Sequence, residues 1–174
     1  MTTPQADCEL CNLLDAIGDI CDDDGDGDGD GDGNGNGNGN GADPGCTPIW
    51  CDENVVVLLV GDAAYPGFCR VVWQRHVKEM TDLTPQQRAR IMQVVWQVEQ
   101  AQREVMQPEK INLASLGNMT PHLHWHVIPR YLDDAHFPDP VWAVARRTTA
   151  AATLAARAAL LPQLSAAVAA RLAA

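Results

Sequence analysis

His122, His124 and His126 alternate with Leu123, Trp125 and Val127, and the run continues through Ile128 into Pro129 and Arg130. On a β-strand, residues two apart share a face. Such a strand would set three imidazoles in a row, with Leu123, Trp125 and Val127 turned into a core. Imidazole readily accepts, donates or covalently carries a group near neutral pH. Three of the chain's five histidines stand at this strict spacing, so a histidine-rich face arising by chance is the weaker reading. The spacing also argues against one metal held by all three, because along a strand the outer pair lie roughly 13 Å apart. Two of them could share a zinc. A row is better suited to dividing labour: one histidine attacks, and its neighbours orient it and hold the substrate.

Other polar groups stand nearby or at recognisable spacing. Asn112 and Asn118 lie on the approach to the histidine run, although turn forming or strand-end capping explains them almost as well. Cys8-Glu9-Leu10-Cys11 has the spacing of a metal knuckle. It is a weak signal alone, since redox pairs and chance produce it too. Two further soft ligands would complete a tetrahedral zinc site.

The elements that must position these groups can be read from pattern. Strands are expected over 47–51, 55–60 and 68–74, the first two joined by a turn at 52–54. Thr84-Pro85-Gln86-Gln87 is a helix start with Thr at the N-cap, Pro at N1 and Gln closing a capping box. The helix should run to about Met106 with Ile91, Val94, Val95, Val98 and Val105 on its apolar face, and Pro108 stops it. A strand over 110–116, a Gly-Asn turn and the histidine strand follow. Antiparallel strands around one long helix make an α+β fold. The tail over 149–172 should be helical, with Leu161, Leu164, Val168 and Leu172 on one stripe and Pro162 placed to kink or restart it.

The run Asn112-Leu113-Ala114-Ser115-Leu116-Gly117-Asn118-Met119-Thr120-Pro121, followed by the histidines and Pro129-Arg130-Tyr131, resembles the histidine triad (HIT) superfamily. The resemblance extends upstream through Gly67-Phe68-Cys69-Arg70-Val71-Val72-Trp73 to His76, and covers about 46–142 together with the Cys8–Cys11 pair. It implies a HIT-like antiparallel sheet of about five strands with one main helix and a C-terminal helix, pairing into a homodimer. It also implies a hydrolase acting at the α-phosphate of a nucleotide, such as a nucleoside phosphoramidate or a dinucleoside polyphosphate like diadenosine tetraphosphate. Nucleotidyl transfer to another acceptor, or a non-catalytic nucleotide- or zinc-binding module, are the alternatives.

By the same resemblance His124 attacks phosphorus, its ring oriented by a backbone carbonyl, and His126 contacts the phosphate or leaving group. His122 completes the catalytic set. Asn112 falls in the nucleotide-contacting strand, and Asn118 stands where many relatives carry Gln. Met119 replaces a Ser or Thr whose hydroxyl assists the leaving group in relatives, which leaves the preferred leaving group open. Arg130, Tyr131, Asp133, Asp134, His136 and Trp142 belong to a region that relatives use at the site rim and dimer contact; His136 lies off the histidine register and reads as structural. Several superfamily members bind a structural zinc through positions matching Cys8, Cys11, His76 and His122. The competing reading leaves His76 and His122 metal-free and the cysteines as thiols. No redox or organic cofactor and no catalytic metal are required.

Composition bounds the partners. The net charge of −11 draws on seven aspartates between residues 22 and 32; setting them aside leaves 16 acidic against 12 basic residues. No basic stripe suits a nucleic acid polymer. The N-terminus lacks a basic and apolar leader, and the Ala-rich tail is interrupted by Arg157, Pro162 and Arg171, so no secretory signal or membrane span is expected. Reduced cysteines in a cytoplasm follow, with Cys21, Cys46, Cys51 and Cys69 as small buried hydrophobes.

The chain divides into an N-terminal C-x-x-C segment at 1–21, an Asp/Asn-Gly insert at 22–45, a core at 46–144 and a C-terminal helix at 145–174. The insert has no apolar surface to bury and should be disordered. Asp24, Asp26, Asp28 and Gly29 mimic half an EF-hand loop, but its twelfth position is Gly35 in place of Glu. Shortening 22–41 to a few residues should preserve fold and turnover, since doubling a flexible loop's length costs only about 0.6 kcal/mol. Loss of more than about tenfold in turnover, near 1.4 kcal/mol of barrier, would give the insert a working role.

Overall fold

The computed structural model describes residues 7–21 and 45–173; the insert, and the expectation of disorder made for it, lie outside them. Helix α1 (Glu9–Cys21) precedes strands β1 (Cys46–Cys51), β2 (Val55–Val60) and β3 (Cys69–Trp73). Helix α2 (Pro85–Met106), β4 (Lys110–Ala114) and β5 (His124–Arg130) follow, then α3 (Ala151–Ala158) and α4 (Leu161–Leu172). The five strands form one antiparallel sheet in the order β1-β2-β3-β5-β4, the α+β architecture expected.

The two-residue period of the strands separates two packing layers. Val55, Val57, Val71, Trp73, Leu123 and Val127 face α2 and α4 in the main core. Val56, Leu58 and Val72 point the other way, against Leu10, Leu13 and Ile17 of α1. The unbroken Val55-Val56-Val57-Leu58 run is therefore buried on both faces, which is what continuous apolar strands require. Sequence pattern leaves the 1–21 segment without a helix; α1 is an addition. Its signal lies in Leu10, Leu13, Leu14 and Ile17, at three- and four-residue intervals.

Helix α2 begins as its residues dictate. The Thr84 hydroxyl accepts from the Gln87 amide at 3.3 Å, and the Gln87 side chain accepts from the Thr84 amide at 2.9 Å. It ends at Gln107, in the left-handed region at φ 48°. At the entry to β3, Gly67 holds φ +90°, and a Cβ there would lie 2.1 Å from the Met106 sulfur, so only glycine lets this corner close against α2. Gln102 is fully buried and donates to the Gly67 and Val127 carbonyls at 2.8 and 2.9 Å. Gln102→Leu strands both acceptors and should lower stability by about 1–3 kcal/mol. That appears as a fall in Tm of roughly 3–10 °C; an unchanged Tm would mean the carbonyls find other donors.

The C-terminal helix breaks before Pro162, which sits in the first turn of α4. Leu164 and Val168 are buried in the main core, with Leu161 and Leu172 packed beside them. By length and composition alone, Ala151–Leu172 is long and apolar enough to cross a membrane, although it is divided between α3 and α4. Arg157 pairs with Asp133 at 2.7 Å, and Arg171 pairs with Glu104.

Cys8, Cys11, Cys46 and Cys69 are thiols, but Cys51 is disulfide-bonded. The expectation of thiols throughout rested on compartment, which says nothing about which sulfurs the fold brings together. Cys69 is the buried hydrophobe expected, while Cys46 and Cys51 are half-buried.

Candidate active site

Strand β5 starts at His124, so the row of three expected on one strand face becomes two plus one. The reason lies in the backbone just before it. The Leu123 amide donates to Val77 O at 2.7 Å, and its carbonyl accepts from Trp73 N at 3.1 Å. These bonds anchor the chain to the 73–77 segment ahead of the regular β3–β5 ladder. His122 Nε2 donates to Trp73 O at 2.6 Å, and its Nδ1 faces Cys8 and Cys11 Sγ at 3.5 and 3.4 Å. The ring is thus turned toward the cysteines. Its carbonyl performs the orienting task instead, accepting from His124 Nδ1 at 2.6 Å.

That bond fixes the His124 tautomer. With the proton on Nδ1, Nε2 carries a lone pair, and it lies 3.0 Å from His126 Nε2. His126 must then be the donor, with its proton on Nε2. Its Nδ1 is buried without a hydrogen-bond partner. Burial pushes His124 below the usual imidazole range; the His122 carbonyl opposes this, and Arg70 adds to it. Burial, then His124, then Arg70 hold His126 down to about 3. His126 is therefore neutral in the free protein and serves as an N–H donor.

These shifts set a pH dependence with a definite sign. Neutral His124 is the nucleophilic form, so turnover should stay level as pH falls through the ordinary imidazole value of 6.5 and decline only below it. Stability moves the same way. The unfolded chain protonates these rings below 6.5, while folded His126 resists until about 3, so stability present above 6.5 is lost as pH falls toward 3. Tm measured from pH 7 to 4.5 should drop, and less steeply in His126→Gln. Equal slopes would contradict the assignment.

The imidazoles open into a cleft of about 280 Å³, which Arg70, Leu10, Leu13, Asn118 and Trp142 also line. Trp142 meets the His126 ring edge-on at 5.3 Å. Its segment is held in place by Arg130, which is 1% exposed and forks onto Asp134 at 2.6 and 3.0 Å. Burial works to raise the Asp134 carboxyl, but Arg130 and three backbone amides outweigh it and hold it below the usual range. Arg130 also donates to Asn112 Oδ1 at 2.5 Å, so Asn112 is engaged beside the cleft, not among the residues lining it. Asn118 lines the cleft directly, on an exposed loop, and Met119 is 95% exposed next to it. His136 bonds to the Tyr65 hydroxyl, in keeping with its structural reading.

Beneath the triad, Cys8, Cys11, His76 and His122 offer ligand atoms all within 4.8 Å of one another. His76 Nδ1 stands 3.3 Å from Cys11 Sγ. Two sulfurs and two imidazole nitrogens so clustered match a tetrahedral zinc set, and the Trp73 carbonyl on His122 Nε2 is the outer bond that fixes a ligating tautomer. The residues present fit the ion.

The fold, the paired imidazoles and their carbonyl-held tautomer define a class, and comparison with known proteins agrees. The HIT domain family model matches residues 46–133; the chain belongs to this family. An AP-4-A phosphorylase of Mycobacterium tuberculosis is 31% identical over 101 residues, which cover 49% of this chain and 52% of that protein. The chain thus spans about half the length of the curated relatives it matches. A histidine triad protein from Bradyrhizobium japonicum is 32% identical, with TM-score 0.57 over 69% of this chain and 90% of that one. A Zn-bound histidine triad family protein from Mycobacterium smegmatis shares the fold at 20% identity and TM-score 0.53, over 92% and 97% of the two chains.

Arg70, Glu9 and the α1 wall are the site features that sequence reasoning missed. A lone cation in the apolar strand Cys69-Arg70-Val71-Val72-Trp73 was the available signal for the first.

Proposed function

We propose that the protein cleaves nucleotides at the α-phosphate through a nucleotidyl-His124 intermediate, with water as the second acceptor. His124 carries this reading: its Nδ1 is held by a carbonyl at 2.6 Å while Nε2 faces the cleft beside a second imidazole. In the first step Nε2 forms a bond to phosphorus as the bond to the leaving group breaks. His126 Nε2–H, freed from His124, donates to a phosphoryl oxygen or to the departing atom. In the second step water attacks phosphorus, the P–N bond breaks and its electron pair returns to His124, while the proton of water passes to His126, restoring the Nε2–H given to the leaving group. Arg130 and Asp134 act at one remove by seating the Trp142 segment. Nucleoside phosphoramidates and dinucleoside polyphosphates are the substrate classes proposed.

Zinc at Cys8, Cys11, His76 and His122 belongs to this proposal as a structural ion that clamps α1 to His122. A homodimer and a cytoplasmic location rest on family likeness. A second reading, transfer to phosphate, is favoured by the phosphorylase relative. Incubation with nucleotide labelled at the α-phosphate, followed by digestion and mass mapping at neutral to alkaline pH, where the acid-labile P–N bond survives, should place the label on His124. Discharge by water alone supports the hydrolase, and discharge that needs added phosphate supports the transferase. No adduct on His124 with any nucleotide would leave a non-catalytic binding module.

A further inference from the structure

We propose that Arg147 is a positioning residue for this site: it closes the neck of the loop 135–146 and so holds Trp142 against His126. This rests on the cleavage reading above and adds to it a side chain that is not among those lining the cleft.

The loop leaves the sheet after β5 and meets itself again at its base. The Arg146 and Arg147 amides both donate to Ala135 O, at 2.7 and 3.3 Å, which makes a compact loop with joined ends. Two arginines grip the turn that begins it. From inside, Arg130 takes the Asp134 carboxylate and the Asp139 carbonyl. From outside, Arg147 Nη1 donates to three carbonyls: Leu132 O at 3.2 Å, Asp134 O at 3.0 Å and Phe137 O at 2.8 Å.

Three carbonyl oxygens so close repel one another, and a cation that only donates gathers them. Arg146 and Arg157 spend their charge on carboxylates, Asp139 and Asp133. Among the described residues no carboxylate pairs with Arg147, so its charge goes to the carbonyls alone. The side chain is largely exposed and adds little to the core. What it sets is the course of the backbone on either side of the neck.

Trp142 needs such a hold. It is half exposed and lies outside every helix and strand, so slight burial alone does not fix the indole. Beside it, Val141 packs on Tyr65, Phe68 and Ile128. Phe68 and Trp142 flank the His126 imidazole, with ring centres 5.5 and 5.3 Å away. The mechanism uses that ring neutral, with its proton on Nε2. Displacing Trp142 lets water reach the ring and compete for that proton.

The test uses the full chain with an adenosine phosphoramidate. Arg147→Ala should lower kcat by about tenfold and move KM by less than about threefold, because it loosens a wall around His126 and removes no substrate contact. Trp142→Ala should lower kcat about as far. Adding Arg147→Ala to it should cost less than about twofold more, since a residue acting through Trp142 then has nothing left to act on. Guanidinium chloride, far below the concentrations that unfold proteins, should restore part of kcat to Arg147→Ala and none to the double variant. Arg147→Lys keeps a cation with three donors for three carbonyls, so its kcat should fall between wild type and Arg147→Ala. Wild-type kcat in Arg147→Ala overturns the inference, whatever its Tm. Effects that multiply in the double variant overturn it too, by sending the influence of Arg147 along another route.

Placement is also readable without turnover. The Trp142 ring current shifts the His126 Cε1–H signal in NMR spectra. That signal should move in Arg147→Ala toward its position in Trp142→Ala, and return with guanidinium. Such movement with no adduct on His124 upholds the positioning and rejects the cleavage reading. An adduct on His124, with the signal unmoved by Arg147→Ala, does the reverse.

Discussion

His124→Asn should abolish turnover while nucleotide affinity stays within about tenfold, roughly 1.4 kcal/mol. The substitution removes the attacking nitrogen and leaves the cleft walls, Leu10, Leu13 and Trp142, where they are. His126 is not positioned to replace it. Its Nε2 is a donor toward His124, and its Nδ1 is buried away from any partner. Single-turnover assays with labelled nucleotide read the chemistry, and equilibrium binding reads the pocket. Covalent label persisting on the variant would reject His124 as nucleophile, and binding loss far beyond tenfold would make it chiefly a substrate contact.

Cys11→Ser should lower both metal content and Tm, from about one zinc per chain in protein prepared without chelator. Cys11 Sγ lies 3.3 Å from His76 Nδ1 and 3.4 Å from His122 Nδ1. Losing this thiolate therefore opens the cluster at its centre. Structural zinc sites contribute folding free energy directly. The effect should reach catalysis through His122, because its carbonyl aims His124. Turnover should fall in the variant and recover in part with excess zinc. Elemental analysis finding no transition metal in the parent protein would sink the ion and leave four hydrogen-bonded side chains.

The paired imidazoles were legible because period two is a strict geometric rule. His124 and His126 share a face as alternation requires, and Leu123 and Val127 are buried behind them. The helix limits were equally plain, since Thr84, Pro85 and Gln87 are local capping chemistry and Pro108 is a local stop. What escaped depends on distant contacts. His122 leaves the strand because Leu123 bonds to the 73–77 backbone while Trp73 O and the cysteines hold the two nitrogens of the His122 ring, and nothing within its neighbouring residues encodes that. Asn112 turns to Arg130, eighteen positions on. Arg70 acquires meaning only once β3 is known to lie beside β5.

The second packing layer bears on where this protein can be cut. The family match begins at residue 46, a natural boundary for a shortened version. Such a version would bare Val56, Leu58 and Val72, fully buried in the intact chain, along a strip beside the imidazoles. Newly wetted apolar surface of that kind invites self-association. The shortened protein would also lack Cys8 and Cys11 beneath His122, and Leu10 and Leu13 in the cleft beside His124 and His126. The smallest functional unit is therefore discontinuous in sequence: a helix supplied from before the insert, and a sheet that comes after it.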